Sequence, residues 1–239
     1  MIDRSVWRRV ILSIEDAIPL YDEVNEIISL NRASLARTYA ATKLLENLRP
    51  HLILDSGAGP GNISLIVLKL NKETDVVSLD CSTFLLKTCK ERLKNHRHRI
   101  DLVRGCFEEL PFKSNAFDAA ITAYALRDSL APSRAINEYS RSLKHGGRLA
   151  IVELAKPDNA VKRFFAVLYV RYIMPLIAKV IVSRRLGGNP WQMIAPTYQN
   201  LPTTTKLLRM LEPRFQMVEK RDFLAGGILV VMLRSRPLG

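Results

Sequence analysis

An apolar run ending in an acid and three alternating glycines, Ile53-Leu54-Asp55-Ser56-Gly57-Ala58-Gly59-Pro60-Gly61-Asn62, constrains this chain more than any other stretch. It reads as a β-strand closing near Asp55, a glycine turn, and a helix running from Asn62 to Leu70. Glycines let the backbone take positive φ and approach a ligand that any Cβ would push away. The N–H groups of the helix's first turn face the same ligand, so the stretch reads as a nucleotide-cofactor loop. A dinucleotide fingerprint begun at Gly57 and Gly59 needs its third glycine at position 62, where Asn62 stands. The spacing D-x-G-x-G-x-G therefore speaks against NAD. A tight strand-to-helix turn with no ligand is the competing reading of the same glycines.

The rest of the chain supplies a frame for such a loop. From His51 onward, short apolar strands alternate with amphipathic helices, the pattern of a parallel sheet covered on both faces. Strands are expected at Leu52 to Asp55, Val76 to Asp80, Asp101 to Arg104, Ala119 to Ala123 and Arg148 to Leu154. Helices are expected at Asn62 to Leu70, Ser82 to Lys94 and Ser133 to Leu143, with Gly146-Gly147 turning into the fifth strand. A last helix, Thr204 to Leu211, precedes two strands, Phe215 to Phe223 and Ile228 to Arg234. These two are too close in sequence for a parallel crossover and should pair antiparallel at one edge of the sheet. Asp80 ends the second strand at the interval after the loop where a ribose-binding carboxylate belongs, although it could instead cap the helix beginning near Ser82.

Before the sheet, Val6, Val10 and Ile14, then Val24, Ile27 and Ile28, recur at helical spacing on either side of Pro19. After it, Val161 to Val182 is the most apolar segment of the chain and nearly long enough to cross a bilayer. Arg171, Pro175 and Lys179 fall inside it, and a charge at mid-membrane costs a few kcal/mol, which argues against a spanning helix. A lid resting on a membrane or covering a greasy substrate competes with a pair of core helices kinked at Pro175. The expected divisions are a helical substrate-capping region at 1–50, an α/β core at 51–157, an apolar lid at 158–200, and a closing helix with its strand pair at 201–239.

Net charge is +13, an excess that suits nucleic acid or an anionic membrane surface and also favours solubility by itself. Cys81, Cys89 and Cys106 have no C-x-x-C spacing and form no ligand set with the four histidines, which predicts reduced thiols and no metal site. The first nine residues carry charges where a signal peptide needs an apolar core, so a cytoplasmic location is expected.

Several blocks resemble a known family. Val103 to Phe112, with Glu109-Leu110-Pro111-Phe112, and then Phe117-Asp118 resemble small-molecule methyltransferases that use S-adenosyl-L-methionine (SAM). Leu126-Arg127-Asp128, Leu143 to Leu149, and Glu153-Leu154-Ala155-Lys156-Pro157, with Tyr21-Asp22 and Asn25 upstream, look like the quinone-biosynthesis C-methyltransferases. The resemblance implies a class I methyltransferase (Rossmann-like) α/β fold. Its sheet would have seven mostly parallel strands and an antiparallel edge strand, with helical additions at the N-terminus and after strand five.

The same resemblance implies methylation of a ring carbon of a prenylated quinol. It places Asp55, Gly57, Ala58, Gly59 and Gly61 in the cofactor loop and Asp80 with Cys81 at the ribose. Cys106 and Phe107 fall near the adenine and Ala123 beside the methionine part, while Tyr21, Arg127 and Asp128 meet the quinol. Arg127 would organise charge around the ring hydroxyl, unless a salt bridge to Asp128 or Glu153 is its whole role.

The chain also departs from the family pattern. Asparagine is usual where Asp128 stands, and an acid there could itself act as base; Pro60 replaces a threonine-like residue; and Asn31 and Ala36-Arg37 stand where Gly and Trp-Lys/Arg are usual. The implied location is the inner face of the cell membrane, with an anionic surface as partner and a homo-oligomer left open. An RNA methyltransferase is disfavoured, because Ala123-Tyr124-Ala125-Leu126 stands where an Asp/Asn-Pro-Pro-Tyr block would be. A SAM-fold binding protein without catalysis is the other alternative, against which the joint presence of Asp80 and Arg127 speaks.

Overall fold

The computed structural model describes residues 4–182, 185–186 and 188–236. Three helices come first: α1 (Arg4–Ala17), α2 (Tyr21–Ile28) and α3 (Arg32–Leu45), with Pro19 opening the short turn between α1 and α2. There follow β1 (Leu52–Ser56), α4 (Asn62–Leu70), β2 (Asp75–Asp80), α5 (Thr83–Arg92), β3 (Ile100–Arg104), β4 (Phe117–Ala123), α6 (Pro132–Ser142) and β5 (Leu143–Leu154). The long helix α7 (Ala160–Val182) comes next, then α8 (Ile194–Asn200), α9 (Thr204–Leu211), β6 (Phe215–Phe223) and β7 (Ile228–Ser235).

The strands form one sheet in the order β3-β2-β1-β4-β5-β7-β6. β1 to β5 are parallel, whereas β7 runs against both β5 and β6. The expected antiparallel strand is thus one place in from the outermost. Gly146 takes a φ of +72° inside the β5 ladder, so the strand begins at Leu143, five residues before the expected Arg148.

Alternation along the strands divides the core. Leu54, Val77, Ala120 and Leu149 point to the face covered by α6 and α9. Ile53, Val76, Ala119 and Ala150 point to the face covered by α3, α4 and α5. Because both faces are covered there, the central strands bury consecutive residues, as at 119–122 of β4, 149–153 of β5 and 228–233 of β7, whereas β6 at the edge is largely polar and exposed. A third cluster joins α1, α2 and α7 to Trp191 and Tyr198 beyond the sheet.

α7 is a single helix with a π-turn at Tyr169–Ile173, just ahead of Pro175. The widened turn fits the missing N–H of the proline without the sharp break expected there. Val170, Met174, Ala178 and Val182 face the protein. Val161, Phe164, Phe165, Leu168, Tyr172 and Leu176 face outward, Phe164 being 64% exposed. α7 is long and apolar enough to span a bilayer by length and composition, yet one face is committed to packing.

Candidate functional site

The strand order reverses between β1 and β4, and a cleft opens at their carboxyl ends, where open α/β sheets bind ligands. It encloses about 990 Å³ of empty space, counting its mouth. Gly57, Gly59, Asp80, Cys81, Cys106, Phe107 and Ala123, all among the residues that the resemblance assigns to the cofactor, line it.

Gly57, Gly59 and Gly61 all take positive φ. A Cβ on Gly57 would stand 2.5 Å from the Ala125 Cβ, so only glycine lets this loop meet the β4 turn. Asp80 Oδ2 accepts the Gly59 N–H at 2.8 Å and Oδ1 accepts the Ser82 N–H at 2.9 Å. The cap of α5 is Ser82 itself, whose Oγ accepts the Leu85 N–H, so Asp80 is not spent on capping. The Cys81 N–H and thiol also donate to this carboxylate, so a ligand hydroxyl would share or displace one of its donors. A carboxylate beside the apolar Phe107 and Leu85 suits a ribose joined to a base, so the residues present fit the nucleoside half of SAM.

Asp55, Ala58 and Gly61 do not line the cleft. Asp55 is enclosed: its Oδ2 accepts the Ser64 N–H at 3.0 Å and the Ser64 hydroxyl at 2.6 Å, and that hydroxyl lies 2.6 Å from the Ser78 hydroxyl. It braces the end of β1 to α4 and β2, and burial pushes its carboxyl up to about 7. Gly61 is required by packing, since a Cβ there would meet the Cys89 sulfur at 2.7 Å.

The first helix was expected to cap the substrate, and it walls this first cleft. Trp7, Val10, Ile11, Ile14 and Ala17 of α1 line the cleft, and Ser82 Oγ donates to Glu15 Oε1 at 2.5 Å. Next along the chain, Asp22 accepts from Asn62 Nδ2 and Arg92 Nη2, each at 2.8 Å, and so ties α2 to the start of α4.

A second cavity of about 700 Å³ adjoins the first, and Tyr21, Asn25, Tyr124, Arg127 and Ile194 line both. Its remaining walls are mostly apolar, among them Ile28, Leu154, Ala166, Val170, Met174 and Ile228, so it lies beneath α7. Tyr124 stands at the junction with a φ of +58°, a conformation costly for a bulky side chain and found chiefly where a site demands it.

Arg127 and Asp128 occupy the one-turn helix Leu126–Asp128 after β4. Glu153, fully buried at the end of β5, accepts the Arg127 backbone N–H and Nη1–H, both at 3.1 Å. Arg127 Nε lies 3.6 Å from Asp128 Oδ1, and neither atom has a hydrogen-bond partner among the described residues. Both anticipated salt bridges therefore exist, and the arginine still faces both cavities. Burial opposes its charge, but the neighbouring Asp128 and Glu153 outweigh burial and hold it protonated above its usual value. Burial pushes Asp128 up to about 6 against the pull of Arg127, with Glu153 adding to the rise.

Sequence reasoning did not assign site roles to Asn25, Arg37, Tyr124 or Glu153. A buried glutamate ending an apolar strand was the available signal for Glu153, while Arg37 was marked only by its place where the family's Trp-Lys/Arg feature is usual.

The comparisons agree with this geometry. The sequence profile of the ubiE/COQ5 methyltransferase family matches residues 7–234. The chain is 30% identical over 221 residues to the ubiquinone/menaquinone biosynthesis C-methyltransferase UbiE of Syntrophotalea carbinolica, covering 92% of this chain and 91% of that protein. It is 28% identical over 220 residues to a demethylmenaquinone methyltransferase of Clavibacter sepedonicus, covering 92% and 86% respectively. In fold, it matches the crystal structure of a SAM-dependent methyltransferase from Aquifex aeolicus with a TM-score of 0.59 at 15% identity, covering 90% of this chain and 97% of that one. With the glycine loop, Asp80 and the sheet order in place, the chain is a SAM-dependent methyltransferase and belongs to the ubiE/COQ5 methyltransferase family.

Proposed function

We propose that the chain transfers the SAM methyl group to a ring carbon of a polyprenyl quinol, of the demethylmenaquinol or a related benzoquinol type, at the inner face of the cell membrane. The observation that carries this reading is the pair of cavities meeting at Arg127, one walled by the glycine loop and the other by apolar side chains beneath α7. The names of the relatives support the quinol.

Bound SAM supplies an electrophilic methyl group on a sulfonium centre. Asp80 accepts from the ribose hydroxyls, Cys106 and Phe107 flank the adenine, and Ala123 lies beside the methionine part. Arg127 supplies a fixed positive charge that favours the ionised ring hydroxyl, whose electrons activate the attacking carbon. Asp128 takes the hydroxyl proton, and Tyr21 adds a phenolic hydrogen bond. A ring hydroxyl set against Arg127 Nε and Asp128 Oδ1 would give each its missing partner, accepting from one and donating to the other. α1 and α7 close the chamber to water, and alignment of the ring with the methyl donor does the rest.

The outward face of α7 enters the lipid surface, with Lys162, Arg171 and Lys179 meeting anionic headgroups. In the sequence, Lys162, Arg163, Arg184 and Arg185 stand at the ends of the apolar segment and were expected to meet anionic lipid, and of these Arg163 and Arg185 contribute less. Arg163 binds the Pro157 and Asp158 carbonyls, and Arg185 pairs with Glu23 at 2.9 Å. Arg184, which was expected to join them, lies outside the described residues.

Incubation with labelled SAM and reduced lipid extract, followed by identification of the labelled product, tests the reaction. A ring-methylated quinol is expected, and label recovered in RNA would overturn it. Arg127→Ala should keep SAM affinity and lose most turnover. Liposome flotation should show salt-sensitive binding to anionic vesicles, and equal binding to neutral ones would remove the charge contribution.

A further inference from the structure

Arg37 is a buried charge with its donors unspent. It sits on α3 at 6% exposure and lines the second cavity but not the first. Its nearest carboxylate oxygen, Glu26 Oε1, is 3.9 Å away, and Ser34 Oγ donates to that same oxygen. Its guanidinium carbon lies 4.8 Å from the centre of the Tyr124 ring. Among the described residues no hydrogen bond from the guanidinium is formed, although it carries five N–H donors. The Arg37 nitrogens are not among the fully enclosed unpaired atoms, so the donors open onto the second cavity, where the walls are mostly apolar and a ligand oxygen would be their acceptor.

Tyr124 relates this arginine to the other. Its ring lines both cavities, and its hydroxyl feels the positive charge of Arg37 and of Arg127 together. One guanidinium stands where the cavities meet and the other faces only the apolar second cavity, where the quinol reading puts the isoprenoid tail. A 1,4-quinol presents two oxygens on opposite ring edges. The hydroxyl beside the attacked carbon is the one that Arg127 and Asp128 meet.

We infer that Arg37 binds the second ring oxygen of the quinol, the one beside the isoprenoid tail, and fixes which ring carbon faces the methyl donor. This inference rests on the quinol reading above. It makes Arg37 a specificity-determining residue, selecting 1,4-dioxygenated rings over rings with one hydroxyl and turning the ring so that the carbon next to the tail is methylated. Tyr124 holds the guanidinium over its ring, and Glu26 balances its charge from a distance that leaves the N–H groups available.

The test compares a short-tailed prenyl-1,4-naphthoquinol, kept reduced, with the matched analogue in which the hydroxyl beside the tail is replaced by hydrogen. With the full-length protein at saturating SAM, kcat/KM for the analogue should be lower by about 10–100-fold, as expected for a lost hydrogen bond to a charged group. Arg37→Met should lose activity on the quinol and bring the ratio of the two substrates close to the intrinsic difference between the rings. Arg37→Lys should recover part of the ratio, and SAM affinity should stay unchanged in both. Arg37→Gln provides a smaller polar change if the methionine variant folds poorly. Because the readout is a ratio, general destabilisation leaves it unmoved. An undiminished ratio in both Arg37→Met and Arg37→Gln overturns the inference while leaving the quinol reading intact. Wild-type protein that methylates neither ring overturns both.

Discussion

Replacing Asp128 by asparagine should raise stability and lower turnover in a single step. The folded protein carries this carboxyl at about 6 against an ordinary value of 3.8, first because it is buried and then because Glu153 adds negative charge. A group whose folded value is raised gives its full contribution below the unfolded value and loses it as pH climbs through the folded one. At 1.36 kcal/mol per pH unit, ionised Asp128 therefore costs the fold about 3 kcal/mol above pH 7. The neutral amide of the variant has no such cost, and Arg127 keeps its bonds to Glu153. For a chain of this size the gain corresponds to a rise in Tm of about 6–12 °C at pH 8, shrinking towards zero near pH 4. Turnover should move the opposite way, with kcat falling about 100-fold if Asp128 is the proton acceptor, and the acid limb near pH 6 should disappear. Scanning fluorimetry across pH and a quinol assay on the same samples give both readouts. A variant that is no more stable at pH 8, or that keeps its rate and its acid limb, refutes the reasoning.

Further outcomes follow from other parts of the molecule. Asp55→Asn should also stabilise, because burial holds that carboxyl up at about 7; the difference grows from about pH 4 to pH 7 in thermal melts and leaves SAM affinity little changed, as Asp55 does not line the cleft. Gly57→Ala should weaken SAM binding at least 10-fold by calorimetry, since its Cβ meets the Ala125 Cβ at 2.5 Å and its φ of +72° costs a further ~1 kcal/mol or more. Phe164→Ser with Phe165→Ser, at two outward positions of α7, should abolish flotation with liposomes and leave SAM affinity and Tm unchanged; unaltered flotation would exclude α7 as the docking face.

The sheet was legible because its signals are local. Apolar runs closed by Asp55, Asp80 and Ala123 gave strands within a residue or two of their ends, and the glycine spacing chose among cofactors before any contact was known. The site was legible only where one segment supplied both the residue and its role, as at Gly57 and Asp80. Asp55 looked the same as a ligand-facing acid until Ser64 and Ser78 were seen to enclose it. α1 was recognised as a helix, but what it covers depends on residues about 70 positions away, such as Ser82. Arg37 required a tertiary fact, the lack of a hydrogen-bond partner among the described residues inside an apolar cavity, and no periodicity encodes that.

The helices at the two ends of the site imply a division of traffic. α1 walls only the cleft of the methyl donor, whereas α7 belongs to the neighbouring chamber, and the polar latch between α1 and the cofactor side is Glu15 on Ser82. On the reaction proposed above, donor and acceptor therefore sit behind different helices, and cofactor exchange past α1 would leave the contacts of the chamber beneath α7 undisturbed.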